Sequence, residues 1–170
     1  MIKRILFVVA CLSMFGCGGT PTSSVVPAPP PPPAPPPPLP TLHCDGTGAC
    51  IVHIINPRCT GSVCTADVDA DPVKFKRGKS DIKIHWKLPS GYGFCEGGTG
   101  DGVYLKGPDT LNQFKDPGVD AAAGTDACNH TQFKWTARNT DIDKSFPYLI
   151  RFHDAAGTRP YLIDPVMINE

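Results

Sequence analysis

From residue 81 to residue 88 apolar and polar residues alternate strictly: Ile82, Ile84, Trp86 and Leu88 against Lys83, His85 and Lys87. A period of two predicts a strand with one face in a core and one in water. The same pattern recurs along the chain. Val73 and Phe75 alternate with Lys74 and Lys76 before Arg77-Gly78 turns the backbone. Phe133, Trp135 and Ala137 alternate with Lys134, Thr136 and Arg138, and Tyr148, Ile150 and Phe152 with Leu149, Arg151 and His153. Residues 50–55 form a β-branched run, expected to be buried on both faces. Shorter strands are expected at 103–105, between glycine-rich segments, and at 161–163 after the turn at 154–158. Residues 166–168 continue that last strand past a break at Asp164-Pro165. No helical period runs beyond two turns and no internal repeat is present. Many short strands separated by turn signals predict an all-β sandwich or barrel.

The first third of the chain reads differently. Residues 1–17 are MIKRILFVVACLSMFGC, with Lys3 and Arg4 ahead of an apolar run at 5–15 that holds one serine. A membrane-spanning helix needs about 20 apolar residues, so this run fits the apolar stretch of a secretory signal instead. Its end, Met14-Phe15-Gly16-Cys17, resembles the lipobox of bacterial lipoproteins: an apolar residue, a tolerant position, a small residue and a cysteine. Met14 and Phe15 stand where leucine and a small residue are usual. The resemblance implies diacylglycerol on the Cys17 thiol, cleavage before Cys17, and acylation of the new amine by a palmitate-type chain. Val9-Ala10-Cys11 fits the pattern locally, but the apolar run before Cys11 is too short. Gly18 follows the cysteine in place of aspartate, which by the lipoprotein sorting pattern implies the outer membrane, with the domain in the periplasm or at the cell surface. Three acyl chains exceed the two needed for stable anchoring, since each buried methylene contributes about 0.8 kcal/mol.

Composition extends this organisation. Residues 27–40, PAPPPPPAPPPPLP, hold 11 of the 20 prolines. Proline fixes φ and lacks an N–H, so this stretch is expected to be a disordered polyproline linker without core or ladder. At about 3.1 Å per residue it reaches on the order of 43 Å, a stiff spacer that lifts a domain off a membrane. The expected layout is a signal peptide at 1–16, a lipid-anchored proline-rich linker at 17–42, and a β-sandwich domain at 43–170.

Basic and acidic residues balance at 16 each, and without Lys3 and Arg4 the remainder is slightly acidic. That gives no electrostatic footprint for nucleic acid. Six of the 8 cysteines lie in the expected domain: Cys44, Cys50, Cys59, Cys64, Cys95 and Cys128. An even number in an exported domain predicts disulfides, and the spacing lacks the paired C-x2-C of zinc ribbons. Cys95–Cys128 is expected to join the end of the Trp86 strand to the start of the Phe133–Trp135 strand. For the others the favoured pairs are Cys44–Cys50 and Cys59–Cys64. A crossed arrangement, Cys44 or Cys50 with Cys59 or Cys64, would instead staple a hairpin of residues 50–55 and 62–68.

The order of motifs carries a second resemblance. A V-x-F-x-x-G strand end is followed by I-x-I-x-W-x-L, a later F-x-W strand, and a close on Leu162-Ile163-Asp164-Pro165 and Ile168-Asn169. Over residues 65–170 this resembles small exported bacterial proteins with a cupredoxin-like sandwich, many of them without copper. It implies a disulfide-stapled, cupredoxin-like or Ig-like fold in which residues 44–64 are an addition. A blue-copper site needs one cysteine, two histidines and usually a methionine. The loop at 154–160, where that family gathers them, has none, and after Cys128-Asn129-His130 no methionine follows until Met167. No metal or cofactor is therefore expected.

Catalytic motifs are lacking. There is no G-x-S-x-G, H-E-x-x-H or phosphate-binding glycine loop, and Cys59 to Cys64 is not the C-x-x-C of thiol oxidoreductases. His85 and His153 are expected on wet strand faces, as a ligand pair only if their strands are neighbours. Asp141 and Asp143 read as loop carboxylates. The loop from Cys95 to Gly102 offers only Glu96 and Asp101, fewer than a calcium loop needs. Asn129-His130-Thr131 matches a glycosylation acceptor that a bacterial lipoprotein would leave bare. The functional expectation is a non-enzymatic binding module for an envelope protein or polymer. Its rivals are a structural envelope component, and an enzyme or metal-dependent protein using His85, His130 or His153 with scattered aspartates.

Overall fold

The computed structural model describes residues 30–95, 100–109, 112–119, 128–140 and 143–170. The chain divides into two units, Met1–Pro36 and Pro37–Glu170. Of the first, residues 30–36 are described; they are exposed and have neither helix nor strand. The lipobox, Cys11 and Cys17 lie outside the described residues.

The second unit is all-β, with no helix among the described residues. Its strands are β1 (Leu42–Cys44), β2 (Cys50–Thr60), β3 (Val63–Val68), β4 (Val73–Phe75), β5 (Ile82–Lys87) and β6 (Tyr92–Gly93). The chain continues through β7 (Gly102–Leu105), β8 (Phe114–Val119), β9 (Gln132–Ala137), β10 (Lys144–Asp154), β11 (Pro160–Ile163) and β12 (Val166–Asn169). They form two sheets. One runs β1-β4-β12-β10-β11, with β6 and β7 also pairing β10; the other runs β3-β2-β5-β9-β8. Most pairs are antiparallel, but β1–β4, β4–β12 and β2–β5 are parallel.

The alternation of each strand turns its apolar set between the sheets. Ile82, Ile84 and Trp86 of β5 are buried, as are Phe133, Trp135 and Ala137 of β9 and Tyr148, Ile150 and Phe152 of β10. Val73 and Phe75 are fully enclosed, and Met167 of β12 lies in the same core. Trp86 sits at the centre. Its ring lies 5.5 Å from Trp135, 5.6 Å from Tyr148 and 6.4 Å from Phe133, and its Nε1–H donates to the Tyr148 hydroxyl at 3.2 Å. That buried bond joins β5 in one sheet to β10 in the other.

Three disulfides staple the unit. Cys44–Cys50 joins β1 to the start of β2, Cys59–Cys64 links directly opposed residues of the β2–β3 hairpin, and Cys95–Cys128 joins segments 33 residues apart. The local pairing is therefore present, and the crossed one is not. Beside the third bridge, a Cβ on Gly93 would collide with the Cys128 carbonyl, so only glycine lets the two backbones approach.

Several expectations need correction. β2 is buried on one face only: Cys50, Val52 and Ile54 point inward, Ile51 and Ile55 are half-buried and His53 is exposed. It also runs on through Asn56-Pro57 to Thr60, with a shift of register between Ile55 and Arg58. Leu42, expected in the linker, belongs to β1, and the Pro40 carbonyl already accepts the Asp71 N–H at 3.0 Å. β8, Phe114–Val119, is a strand where none was expected, despite Pro117-Gly118. It survives as an edge strand, where a missing N–H costs no ladder bond, and it bulges between Lys115 and Gly118. Residues 166–169 form a strand of their own that pairs with both β10 and β4.

Candidate functional site

The sharpest polar cluster lies on the outer face of the β10 sheet. Alternation sends Arg151 and His153 outward from β10, and β7 pairs alongside it, Gly102 opposite Arg151. The residue before β7, Asp101, folds over this face. Its side chain is 0% exposed, and Oδ2 accepts from the Cys95 backbone N–H at 2.9 Å and meets His153 Nδ1 at 2.7 Å. Arg151 Nε stands 3.6 Å from the other oxygen, Oδ1, which has no hydrogen bond. The Tyr104 hydroxyl donates to the Asp101 carbonyl at 2.6 Å. Burial, and then the Asp101 charge, push the Tyr104 phenol above its ordinary pKa. Gly102 makes the fold-over possible. Its φ is +137°, and a Cβ there would stand 2.8 Å from the Phe133 ring.

A buried carboxylate on Nδ1 fixes the imidazole tautomer and leaves Nε2 as the acceptor. The arrangement is half of a general-base system. Among the described residues no serine, threonine or thiol is hydrogen-bonded to His153, the position an activated nucleophile would take. Cys95, Asp101 and His153 bring donor atoms within 4.8 Å of one another. The Cys95 sulfur is locked to Cys128, however, and a thiolate is what a metal takes from cysteine. Among the described residues two ligands remain, one short of the usual minimum for zinc.

This cluster corrects the reading of His153. It was expected on a wet face and is 6% exposed, because the segment around Asp101 covers it. His85 is half-buried, with Nδ1 2.8 Å from the Gln132 amide. The two histidines belong to different sheets and form no ligand pair. His130 is buried and bridges Phe94, and Cys128 beside it is oxidised. Asp143 ion-pairs with Arg77 at 3.1 Å, while Asp141 and Glu96 lie outside the described residues. The Asn129 side-chain oxygen is buried without a hydrogen bond, which turns that part of the amide away from solvent.

Sequence reasoning missed a cleft. A cavity of 400 Å³ opens between β7 and β8, lined by Val103, Tyr104, Leu105, Phe114, Phe133 and Trp135. Asp109 at its rim is occupied in accepting the Gln113 and Phe114 N–H groups, at 2.7 and 2.9 Å. Mostly apolar walls with a few polar groups are the usual make-up of a ligand pocket. The F-x-W alternation of β9 was a partial signal for it; β8, the other wall, had none.

The sequence matches no protein-family model, and no curated protein matches it either.

Proposed function

We propose that this chain is an outer-membrane-anchored lipoprotein whose β-sandwich is a non-enzymatic binding module for an envelope protein or polymer. The observation that carries the reading is the tract at 1–40: a cationic start, a short apolar run, Gly16-Cys17, then the proline-rich spacer. Such a leader addresses and tethers whatever follows it. Three disulfides in the unit that follows agree with an oxidising compartment. The character of the polar groups supports a binding rather than a chemical role. Among the described residues the buried Asp101–His153 pair is closed in on itself, whereas a cleft of rings and a broad charged strand face are open. A cupredoxin-like ancestry agrees with this reading, with Met167 in the core and Cys128 in a bridge rather than at a metal.

The test uses the full chain expressed in a bacterium with an outer membrane. Labelled palmitate enters the wild type, the label follows the outer-membrane fraction, and Cys17→Ser abolishes both. Label that persists in Cys17→Ser but disappears in Cys11→Ser would move the anchor. An unlabelled wild type in the soluble fraction would refute the reading.

A further inference from the structure

The outer face of the β3-β2-β5-β9-β8 sheet gathers cations. On β5, Lys83 and Lys87 flank His85. The register sets His85 opposite Lys134 and Lys83 opposite Thr136, which in turn faces Lys115 on β8. Arg138 follows at the end of β9 and is exposed. These are five of the fourteen basic residues in 37–170, a stretch that carries sixteen acidic ones. Lys115 is engaged by Asp81 at 2.7 Å, and the lysine holds that carboxyl below its ordinary range. Among the described residues Lys83 and Lys87 form no ion pair.

Solubility alone does not ask for this. A solvated strand face is best served by interspersed signs, and like charges on neighbouring strands oppose sheet formation. Among the described residues of this face the five cations outnumber Asp81 and Asp116, and an excess of positive charge on one face of an acidic unit is the footprint of an anionic partner. The face is also indented. The β8 bulge opens a cavity of 220 Å³ lined by Lys83, His85, Asp116, Lys134, Trp135 and Thr136. Lys83 suits a carboxylate there. Asp116, on the same rim, suits a neighbouring amine. Lys83 and Lys87 lie about 13 Å apart along the strand, far enough to meet successive anionic groups of a polymer.

We infer that this face binds peptidoglycan, through the free carboxylates and amines of its peptide stems. The inference rests on the envelope-module reading above and names its partner. The mixed rim favours a partner carrying both charges over a phosphate surface carrying one. The proline spacer, on the order of 43 Å long, gives a lipid-anchored unit the reach to a wall standing off the membrane.

The experiment is co-sedimentation of the detergent-purified full chain with isolated peptidoglycan sacculi. Wild type pellets at low salt, and about 1 M salt, which screens charges beyond about 3 Å, releases it. Lys83→Glu/Lys87→Glu, with an unchanged circular dichroism spectrum and thermal midpoint, pellets about fivefold less, the size of two exposed ion pairs. Arg159→Glu, an exposed arginine between β10 and β11 of the other sheet, pellets like wild type. Undiminished pelleting of the double variant overturns the inference and leaves a wall-binding module that uses another surface. So does a wild type that ignores sacculi, and its flotation with phosphatidylglycerol vesicles would assign the face to a membrane. Sedimentation as expected together with absent palmitate label would remove only the anchor.

Discussion

Removing either end of the Trp86–Tyr148 bond should cost more than the bond itself contributes. Both side chains are 0% exposed, and the indole N–H donates to the phenol oxygen at 3.2 Å between the sheets. A net hydrogen bond is worth about 1 kcal/mol, but a buried donor left alone costs about 1–3 kcal/mol. Tyr148→Phe keeps the ring and strands the indole N–H, so a loss of about 2 kcal/mol is expected. Trp86→Phe removes the donor together with part of the ring that packs on Trp135 and Phe133, for about 2–3 kcal/mol. The double variant leaves no orphan and should cost at least about 1 kcal/mol less than the sum of the singles. Trp86→Ala, which opens a cavity as well, should cost about 3–5 kcal/mol, a large share of the roughly 5–15 kcal/mol that holds a domain folded. Equilibrium urea unfolding of the oxidised protein reads all four. Strict additivity, or a Tyr148→Phe loss below about 0.5 kcal/mol, would refute the reasoning, because it would mean that water already reaches the pair.

The two strand-face histidines should separate: His85→Ala should shift stability by no more than about 0.5 kcal/mol, whereas His153→Ala, which strands the buried Asp101 carboxylate, should cost at least about 2 kcal/mol in the same unfolding assay. Equal effects would contradict the burial of His153. Replacing Cys95 and Cys128 by serine should lower stability by up to about 3.7 kcal/mol from the 33-residue separation, against about 2.2 kcal/mol for the 6-residue Cys44–Cys50 pair, as read from denaturation midpoints. The reverse order would show that chain entropy does not govern these bridges. Arg58 grips Asp67 through two bonds, at 2.7 and 2.9 Å, and holds its carboxyl below the ordinary aspartate range. The stability this gives is present above the unfolded pKa and lost as pH falls through the lower folded value. Asp67→Asn should therefore lower the neutral plateau of a pH–stability curve slightly, the pair being exposed, and converge with wild type below about pH 4, which flattens the acid limb. An unchanged acid limb would show that the pair is too solvated to matter.

Much of this protein follows from the sequence alone, and the reason is periodicity. A strand of period two has to choose a face, and the choice is written in Ile82, Ile84 and Trp86 or in Phe133, Trp135 and Ala137. The all-β class and most of the core are legible for that reason, whereas the expectation of disulfides rests on the even number of cysteines after a leader of secretory type. Short sequence separation also favours Cys44–Cys50 and Cys59–Cys64, since near neighbours meet most readily. Other features belong to no local pattern. β8 has a poor strand sequence and exists because the edge of β9 offers it a partner. His153 keeps the phase of a wet residue, but the chain near Asp101 lies over it, and a covering segment leaves no mark on the strand it covers. The cleft between β7 and β8 and the cationic face across β5, β9 and β8 likewise need strands to be neighbours. Which lysines share a face can be counted from the sequence; which strands lie side by side is decided only by long-range pairing, where the burial of whole sheets outweighs any local preference.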